Sequence, residues 1–481
     1  MDEVLEKING VVWGVPALVL IIGVGIYLTL RTRFAQFRLL PKAMRAFLSE
    51  FRLRPKDKRG ISPFRALCTA LAATVGTGNL AGVAGAIAIG GPGSIFWMWV
   101  CGCLGMVTKF AEATLAVRYR ERNSQNEYVG GTMYMIRHGM GERWKWLAGI
   151  YAFFGVIAAF GVGNATQINT VIGSINCAVM AFGGAQSRVR DLMLGLALTV
   201  LVGSILLGGA KRIGEFAEIL VPLAAISYLI LGTGILFMRC NYIPSAFAAI
   251  LQGAFQPVAV TGGVVGSAIK ALRIGTSRGV FTNEAGMGTA ALAHSSADVV
   301  HPVQQGLMGI VEVFLDTIVI CTMTAFVILC SGITIPYGTD QGIALTLLAF
   351  DVTYGKWVYV FMSVAIACFA LATVIGWGFY GIRCAQYLFG EKSWRIFAWL
   401  QTGTVMLGAI LSTGIVWICA EIMNGLMAIP NLIALVILSP EFRRLVQDFD
   451  KMHKDEKNID FSTTCAKIRK NQNGNAEKKK I

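Results

Sequence analysis

Charge is scarce in this chain. Asp, Glu, Lys and Arg make up 14% of its 481 residues, whereas an average soluble protein carries about 25%. The signatures of common enzyme chemistry are missing as well. The sequence holds no H-E-x-x-H, no G-x-x-x-x-G-K-[ST] and no G-x-S-x-G, so intramembrane hydrolysis and ATP-driven pumping lack their parts and no enzyme is expected. Its four histidines form no cluster, and Cys101-Gly102-Cys103 has no second ligand pair at a zinc-binding spacing. Strict apolar/polar alternation is absent, which excludes the strands of a membrane barrel. A basic n-region is absent too, because the first apolar run, Val11 to Leu30, follows Asp2 and Glu3, so no cleavable signal peptide is expected. The net charge of +15 does not point to nucleic acid, since the basic residues sit in loops and at the tail.

What the chain has in plenty is apolar helix. Hydrophobic residues make up 55%, and long apolar runs recur from end to end, the mark of an all-α polytopic membrane protein. Eleven helices are expected, near 11–30, 63–89, 92–118, 147–181, 191–208, 214–237, 250–273, 303–332, 357–388, 394–412 and 414–437. With the N-terminus outside and the C-terminus cytoplasmic, all of the 42 Lys and Arg fall toward the inner side except Lys7, Arg188, Arg190, Arg239 and Lys356, as the positive-inside rule requires. The stretch 31–65 is basic enough to lie as a loop on anionic membrane lipid. The tail after Ser439 reads as an amphipathic stretch followed by disorder.

Setting the first helix aside leaves ten, and they divide into two fives. This gives segments 1–62 (first helix and basic loop), 63–237 and 250–437 (two five-helix repeats) and 438–481 (basic tail). Five is odd, so the repeats would cross the membrane in opposite directions. Each repeat opens on a helix interrupted by glycine, at Val75-Gly76-Thr77-Gly78 and at Thr261-Gly262-Gly263 after Pro257. Paired interrupted helices in matching positions of inverted halves mark a transporter binding site.

The stretch Thr74 to Gly82 holds three glycines, two threonines and an asparagine. Leaving the helix there frees N–H and C=O groups, which lipid cannot satisfy. A zwitterionic amino acid and a sodium ion could satisfy them together. Amides at Thr77 and Gly78 suit a carboxylate, and carbonyls around Ala72 to Val75 suit a hard cation. The competing reading is close helix packing through Gly78-xxx-Gly82. A dinucleotide-binding reading fails, because the glycine spacing is wrong and no strand precedes it.

Several stretches resemble the alanine/glycine:cation symporters, also known as the sodium:alanine symporters: "TALAATVGTGNLAGVAGAIAIGGPGSIFWMW" (69–99), "RGVFTNEAGMG" (278–288), "AHSSADVVHPVQQG" (293–306), "FLDTIVICTMTA" (314–325) and "LATVIGWGFYG" (371–381). The resemblance spans roughly 11–440. It implies a leucine-transporter-type five-plus-five inverted repeat with one extra N-terminal helix, and symport of alanine or glycine with sodium. It implies a substrate site in which Thr77 and Gly78 offer backbone N–H to the carboxylate, and Asn79 offers its amide to the carboxylate or a nearby cation. Gln167, in "FGVGNATQIN", faces the carboxylate, and Gly163 leaves room for the substrate. Thr261, Gly262 and Gly263 accept from the ammonium, and Trp377 closes the side-chain end. The implied sodium ligands are the carbonyls of Ala72, Val75 and Phe369 and the hydroxyl of Thr373. The chain departs from the family at Ala372, where a second hydroxyl is expected, and at Ile382, where Glu is usual.

Acidic residues at membrane depth are functional by default. Asp316 could bind a cation, accept a proton, or simply hydrogen-bond Thr317 or Thr324. Glu112 and Lys109 read as gate or anchor residues. Arg278 with Glu284 could latch an inner gate; alternatively Thr282 and Asn283 cap the next helix. His294 and His301 read as surface residues. The leading expectation is sodium-coupled symport of alanine or glycine across a bacterial inner membrane by alternating access, with no organic cofactor. The alternatives are a proton-coupled or uncoupled amino acid carrier, and a non-transporting amino acid sensor.

Overall fold

The computed structural model describes residues 2–52, 61–256, 268–339, 341–410 and 413–455. Among them the only strands are the short hairpin Glu121–Arg122 and Tyr128–Val129. Everything else regular is helix. Seven helices are long and apolar enough to cross a membrane, and nine spans result if each of two bent pairs counts as one. The sequence-based count of eleven differs at two places. The expected helix 250–273 runs into 257–267, which lie outside the described residues. The expected helix 394–412 is Trp394–Ile410, 17 residues long, a little short of the roughly 20 that span a bilayer upright.

Burial sorts the helices into a centre and a rim. In Gly93–Arg118, 83% of the apolar window is buried, whereas in Arg188–Leu206 and Gly209–Met238 the share is 28%. Phe237, Ile230 and Val200 on the rim are more than half exposed. Water would not tolerate a continuous belt of such side chains, but hydrocarbon would. This is a multi-pass membrane protein.

Three elements depart from the expectation. The basic loop after the first span folds largely into the helix Ala35–Arg52. The last helix, Thr413–Asp455, continues past residue 437 into the expected tail, turning by 60° between Ile422–Ile437 and Ser439–Met452. A short helix, Ile343–Tyr354, occupies what reads as a loop; its Thr346 hydroxyl donates to the Leu80 carbonyl at 3.1 Å, so it reaches the interrupted pair Pro63–Thr74 and Thr77–Gly90 directly.

Candidate functional site

The interruption lies where the glycines place it. Helix Pro63–Thr74 starts on an N-cap, with Ser62 accepting from Arg65 N at 3.1 Å, and ends with Val75 extended. Gly76 is extended, Thr77–Asn79 form one 3₁₀ turn, and a second helix runs Ala81–Gly90. The two halves meet at 58°.

The hydrogen bonds at the break decide what it can hold. In an unbroken helix the N–H of Gly76 would bond the Ala72 carbonyl, and the N–H of Asn79 the Val75 carbonyl. Instead Gly76 N donates to Asn79 Oδ1 at 2.8 Å, and Asn79 N donates to the Gly76 carbonyl at 3.3 Å. The buried carbonyls of this last turn, Ala72 to Val75, have thus lost their helical donors, as the carbonyls at a helix end do. A buried carbonyl needs a partner, and a cation that prefers oxygen is a suitable one. On the far side of the break, the amides of Thr77 and Gly78 head the second half of the helix, where donors point outward.

Helix Trp357–Phe389 supplies the facing wall. A Cβ on Gly376 would lie 2.7 Å from Ala73 N, so the two helices touch backbone to backbone. That approach sets the buried Thr373 hydroxyl against Gly76, where a Cβ would run into Thr373 Oγ1. Thr373 Oγ1 also donates to the Phe369 carbonyl at 3.1 Å. Thr373, together with the Phe369 carbonyl it bonds, is therefore set against Gly76, the residue after Val75. Ala372 beside them is buried and brings no side-chain oxygen. Ile382 packs into an apolar cluster.

The third wall bends to meet the site. The long segment Glu142–Ala181 contains a π-turn at Gly161–Ala165, an irregularity that often accompanies function. Just beyond it, Gln167 accepts from the Thr77 hydroxyl at 2.9 Å and donates to the Val162 carbonyl at 3.1 Å. Gly163 makes room for Trp377 itself rather than leaving free space: a Cβ there would collide with the Trp377 side chain. Trp377 is fully buried and its Nε1 donates to Glu284 at 2.9 Å.

Asn79 is occupied within the protein. While its oxygen braces Gly76, its nitrogen donates to Asp316 Oδ1 at 2.6 Å. Asp316 also accepts from Thr317 Oγ1 at 2.8 Å and sits in a second π-segment, Phe314–Cys321. Thr261, Gly262 and Gly263 lie outside the described residues.

Next to this site lies a polar network that the sequence shows only in part. Lys109 Nζ is 3.3 Å from Glu312 Oε1, both fully buried. His294 is buried, not a surface residue; its Nε2 pairs with Glu312 at 2.8 Å while Gln305 donates to its Nδ1 at 2.7 Å. Glu112 accepts from the Gly286 and Gly288 amides and from Asn431. The Glu284 carboxylate, which a latch with Arg278 would use, accepts from Thr289 and Trp377. Glu284 holds this position at a φ of 53°, costly for a residue with a Cβ. Thr282 and Asn283 close the helix Ala268–Asn283, and the next helix, Thr289–His294, begins after Gly288. The acids were visible as charges in apolar helices, but their partners His294 and Asn431 lie far along the chain and leave no local signal. Among the described residues no group of three or more His, Cys, Asp or Glu could hold a metal ion.

The model of the sodium:alanine symporter family matches residues 1–463. The chain belongs to the sodium:alanine symporter family. Among family relatives, the sodium/alanine symporter AgcS of Methanococcus maripaludis is 41% identical over 94% of this chain and 98% of its own. The probable sodium/glutamine symporter GlnT of Bacillus subtilis is 36% identical over 98% of this chain and 96% of its own. The crystal structure of MhsT in complex with L-phenylalanine covers 81% of this symporter-family chain and 99% of its own, with a TM-score of 0.55 at 13% identity, so the two share a fold of the leucine-transporter type.

Proposed function

We propose that this protein imports alanine or glycine together with sodium, by alternating access, across a bacterial inner membrane. The observation that supports the reading is the break itself, where the carbonyls from Ala72 to Val75 have lost their helical donors and the Thr373 hydroxyl, bonded to the Phe369 carbonyl, is set against Gly76. Sodium fits this all-oxygen set. The substrate carboxylate meets the Thr77 and Gly78 amides, with Gln167 close behind through its bond to Thr77. In this reading Asn79 acts as a brace that keeps the break open, tied to Asp316, and the ammonium is received by Thr261, Gly262 and Gly263. Trp377, seated on Gly163, caps the side-chain end and disfavours large residues by volume.

The reading extends to layout. The segments 63–237 and 250–437 form the two inverted five-helix repeats of an eleven-helix protein, behind one extra helix, with the N-terminus outside and the basic C-terminal end in the cytoplasm. The membrane potential then helps: one positive charge moved inward gains roughly 2.3 kcal/mol per 100 mV. Coupling requires that ion and substrate favour the same conformation. Both hold the helix interrupted at Gly76, so each strengthens the other's grip on it. No chemical step and no organic cofactor enter this cycle.

Ala372 favours a second reading, a carrier coupled to protons or to no ion, because the buried alanine withholds one oxygen from the cation. A sensor is the third. Counterflow of labelled alanine in proteoliposomes separates transport from sensing: exchange of label supports a carrier, and binding without exchange supports a sensor. Thr77→Pro removes an amide from the carboxylate position; uptake that survives this change in folded protein would refute the site.

A further inference from the structure

The first span, Val15–Arg31, ends at the membrane's edge and turns into Ala35–Arg52. The turn passes through Arg33 and Phe34, at φ 56° and 55°. Two consecutive non-glycine residues in the left-handed region are costly and persist only where the surroundings hold them. Here Phe34 N donates to the Thr29 carbonyl at 2.8 Å and Arg33 N to the Leu30 carbonyl at 3.2 Å. The turn sets a row of cations against the bent end of the last helix, Ser439–Met452. Two links tie these ends of the chain together. Tyr27 OH lies 2.9 Å from Ser439 Oγ, and Arg38 Nη1 lies 2.6 Å from Asp450 Oδ2.

Between the two arms is a cavity of about 380 Å³, within the roughly 300–1,000 Å³ of ordinary ligand pockets. Its charged lining is Arg31, Arg33, Arg38, Lys42 and Arg443, against the single acid Asp450. Asp450 is already taken by Arg38, so four cations face the cavity without a carboxylate of its lining. Arg31 sharpens the case. Its Nη1 donates to Tyr27 OH at 2.7 Å, but its Nε is buried and lacks a hydrogen-bond partner. A buried donor on a cation calls for an acceptor. Next in sequence to Arg31, Arg33 and Arg38 of the lining, Leu30, Phe34 and Phe37 are about half exposed or more, at 62%, 52% and 47%. An aromatic, apolar rim beside a cationic pocket, at the end of a span, is what a lipid with a charged headgroup and acyl chains would meet.

We infer that this cavity binds the phosphate headgroup of an anionic phospholipid, with its acyl chains lying over Leu30, Phe34 and Phe37. The lipid ties the first span to the last helix, since Arg31, Arg33, Arg38 and Lys42 come from one arm and Arg443 from the other. Basic pockets at the cytoplasmic end of membrane helices are suited to such headgroups. The site lies apart from the amino acid and sodium positions at the interrupted helix, and it stands whether or not the symport reading does.

The test uses purified full-length protein in detergent, with added phosphatidylglycerol, phosphatidylcholine or inorganic phosphate. Native mass spectrometry counts retained lipid, and thermal unfolding reports stabilisation. Phosphatidylglycerol is expected to be retained and to raise the unfolding midpoint, and phosphatidylcholine to do neither. The triple variant R33Q/K42Q/R443Q should bind phosphatidylglycerol at least about tenfold more weakly, each lost cation being worth about a factor of five. R33K/R443K should keep most of the binding, and R143Q/K145Q, exposed basic residues elsewhere, should keep all of it. Equal retention of the two lipids overturns the inference, and that comparison needs no variant, so misfolding cannot hide it. Inorganic phosphate that stabilises as well as phosphatidylglycerol would overturn the lipid and leave a free-anion site. Undiminished binding in the triple variant would place the lipid elsewhere.

Discussion

Two buried polar regions lie side by side in this protein, and they are built on opposite principles. At the break between Thr74 and Ala81 the polar groups are mostly neutral: backbone amides and carbonyls, Thr373, Gln167 and Asn79. Some are left with bonding capacity to spare, as the Ala72 and Val75 carbonyls show. Around Lys109, Glu112, His294 and Glu312 the groups are ionisable side chains that contact one another, backbone amides and Asn431, although Lys109 Nζ, Glu112 Oε2 and Glu312 Oε1 lack a hydrogen-bond partner. Open neutral dipoles can hold a charged ligand and release it, because the protein pays little when the ligand leaves. A network of ionisable side chains that contact one another holds protein to protein. The contrast is the one that the proposed ligand exchange at the break requires, with structural linkage left to the network, which joins the helix Gly93–Arg118 to Pro302–Val313, Thr289–His294 and the last helix through Asn431.

The largest expected effect breaks the network. Lys109→Ala leaves Glu312 buried with His294 alone, and removing one member of a buried ion pair costs about 3–5 kcal/mol. Purified K109A should unfold well below the parent's midpoint, and adding Glu312→Gln should recover part of the loss. An unchanged midpoint would mean that the network holds little together.

Gly163→Ala comes next. Its new Cβ collides with Trp377, and overpacking costs about 1–3 kcal/mol. Uptake should fall steeply, because the displaced indole also leaves Glu284. A smaller partner, Trp377→Phe in the same background, should restore the midpoint while widening the substrate range in competition assays.

Thr373→Ala tests the open region. In the proposed ion site it removes one oxygen from the cation, and a bond to a charged group is worth about 1.5–3 kcal/mol. The sodium concentration giving half-maximal uptake should rise about tenfold or more, with the unfolding midpoint hardly changed; Thr373→Ser should keep the parent's value. Equal sodium dependence in T373A would remove this hydroxyl from the ion site. The smallest effect is a gain. Ala372→Ser offers the oxygen that the family pattern expects, and should lower the half-saturating sodium concentration a few-fold, by about 1 kcal/mol or less.

The same contrast explains what the sequence reveals. The break is legible because Gly76, Gly78 and Asn79 stand out against an apolar run, and a backbone that leaves its helix in lipid must be satisfied locally. The spans are legible for the same reason, since composition alone marks them. The network is half legible. Glu112 and Glu312 announce themselves by charge, but His294 is 18 residues from Glu312 and Asn431 is 319 from Glu112, and no local pattern encodes such pairings. Gly163 illustrates a further limit: a glycine declares that space is needed, not what fills it, and here Trp377 does. The helix Ile343–Tyr354 escaped notice because 12 residues are too few for a span.

The most direct test of the account is uptake of labelled alanine into proteoliposomes, with an inward sodium gradient or with choline replacing sodium. The account predicts accumulation above equilibrium with sodium and none with choline. Equal uptake in the two conditions would contradict it, leaving an amino acid site at the break but no sodium beside Ala72, Val75, Phe369 and Thr373.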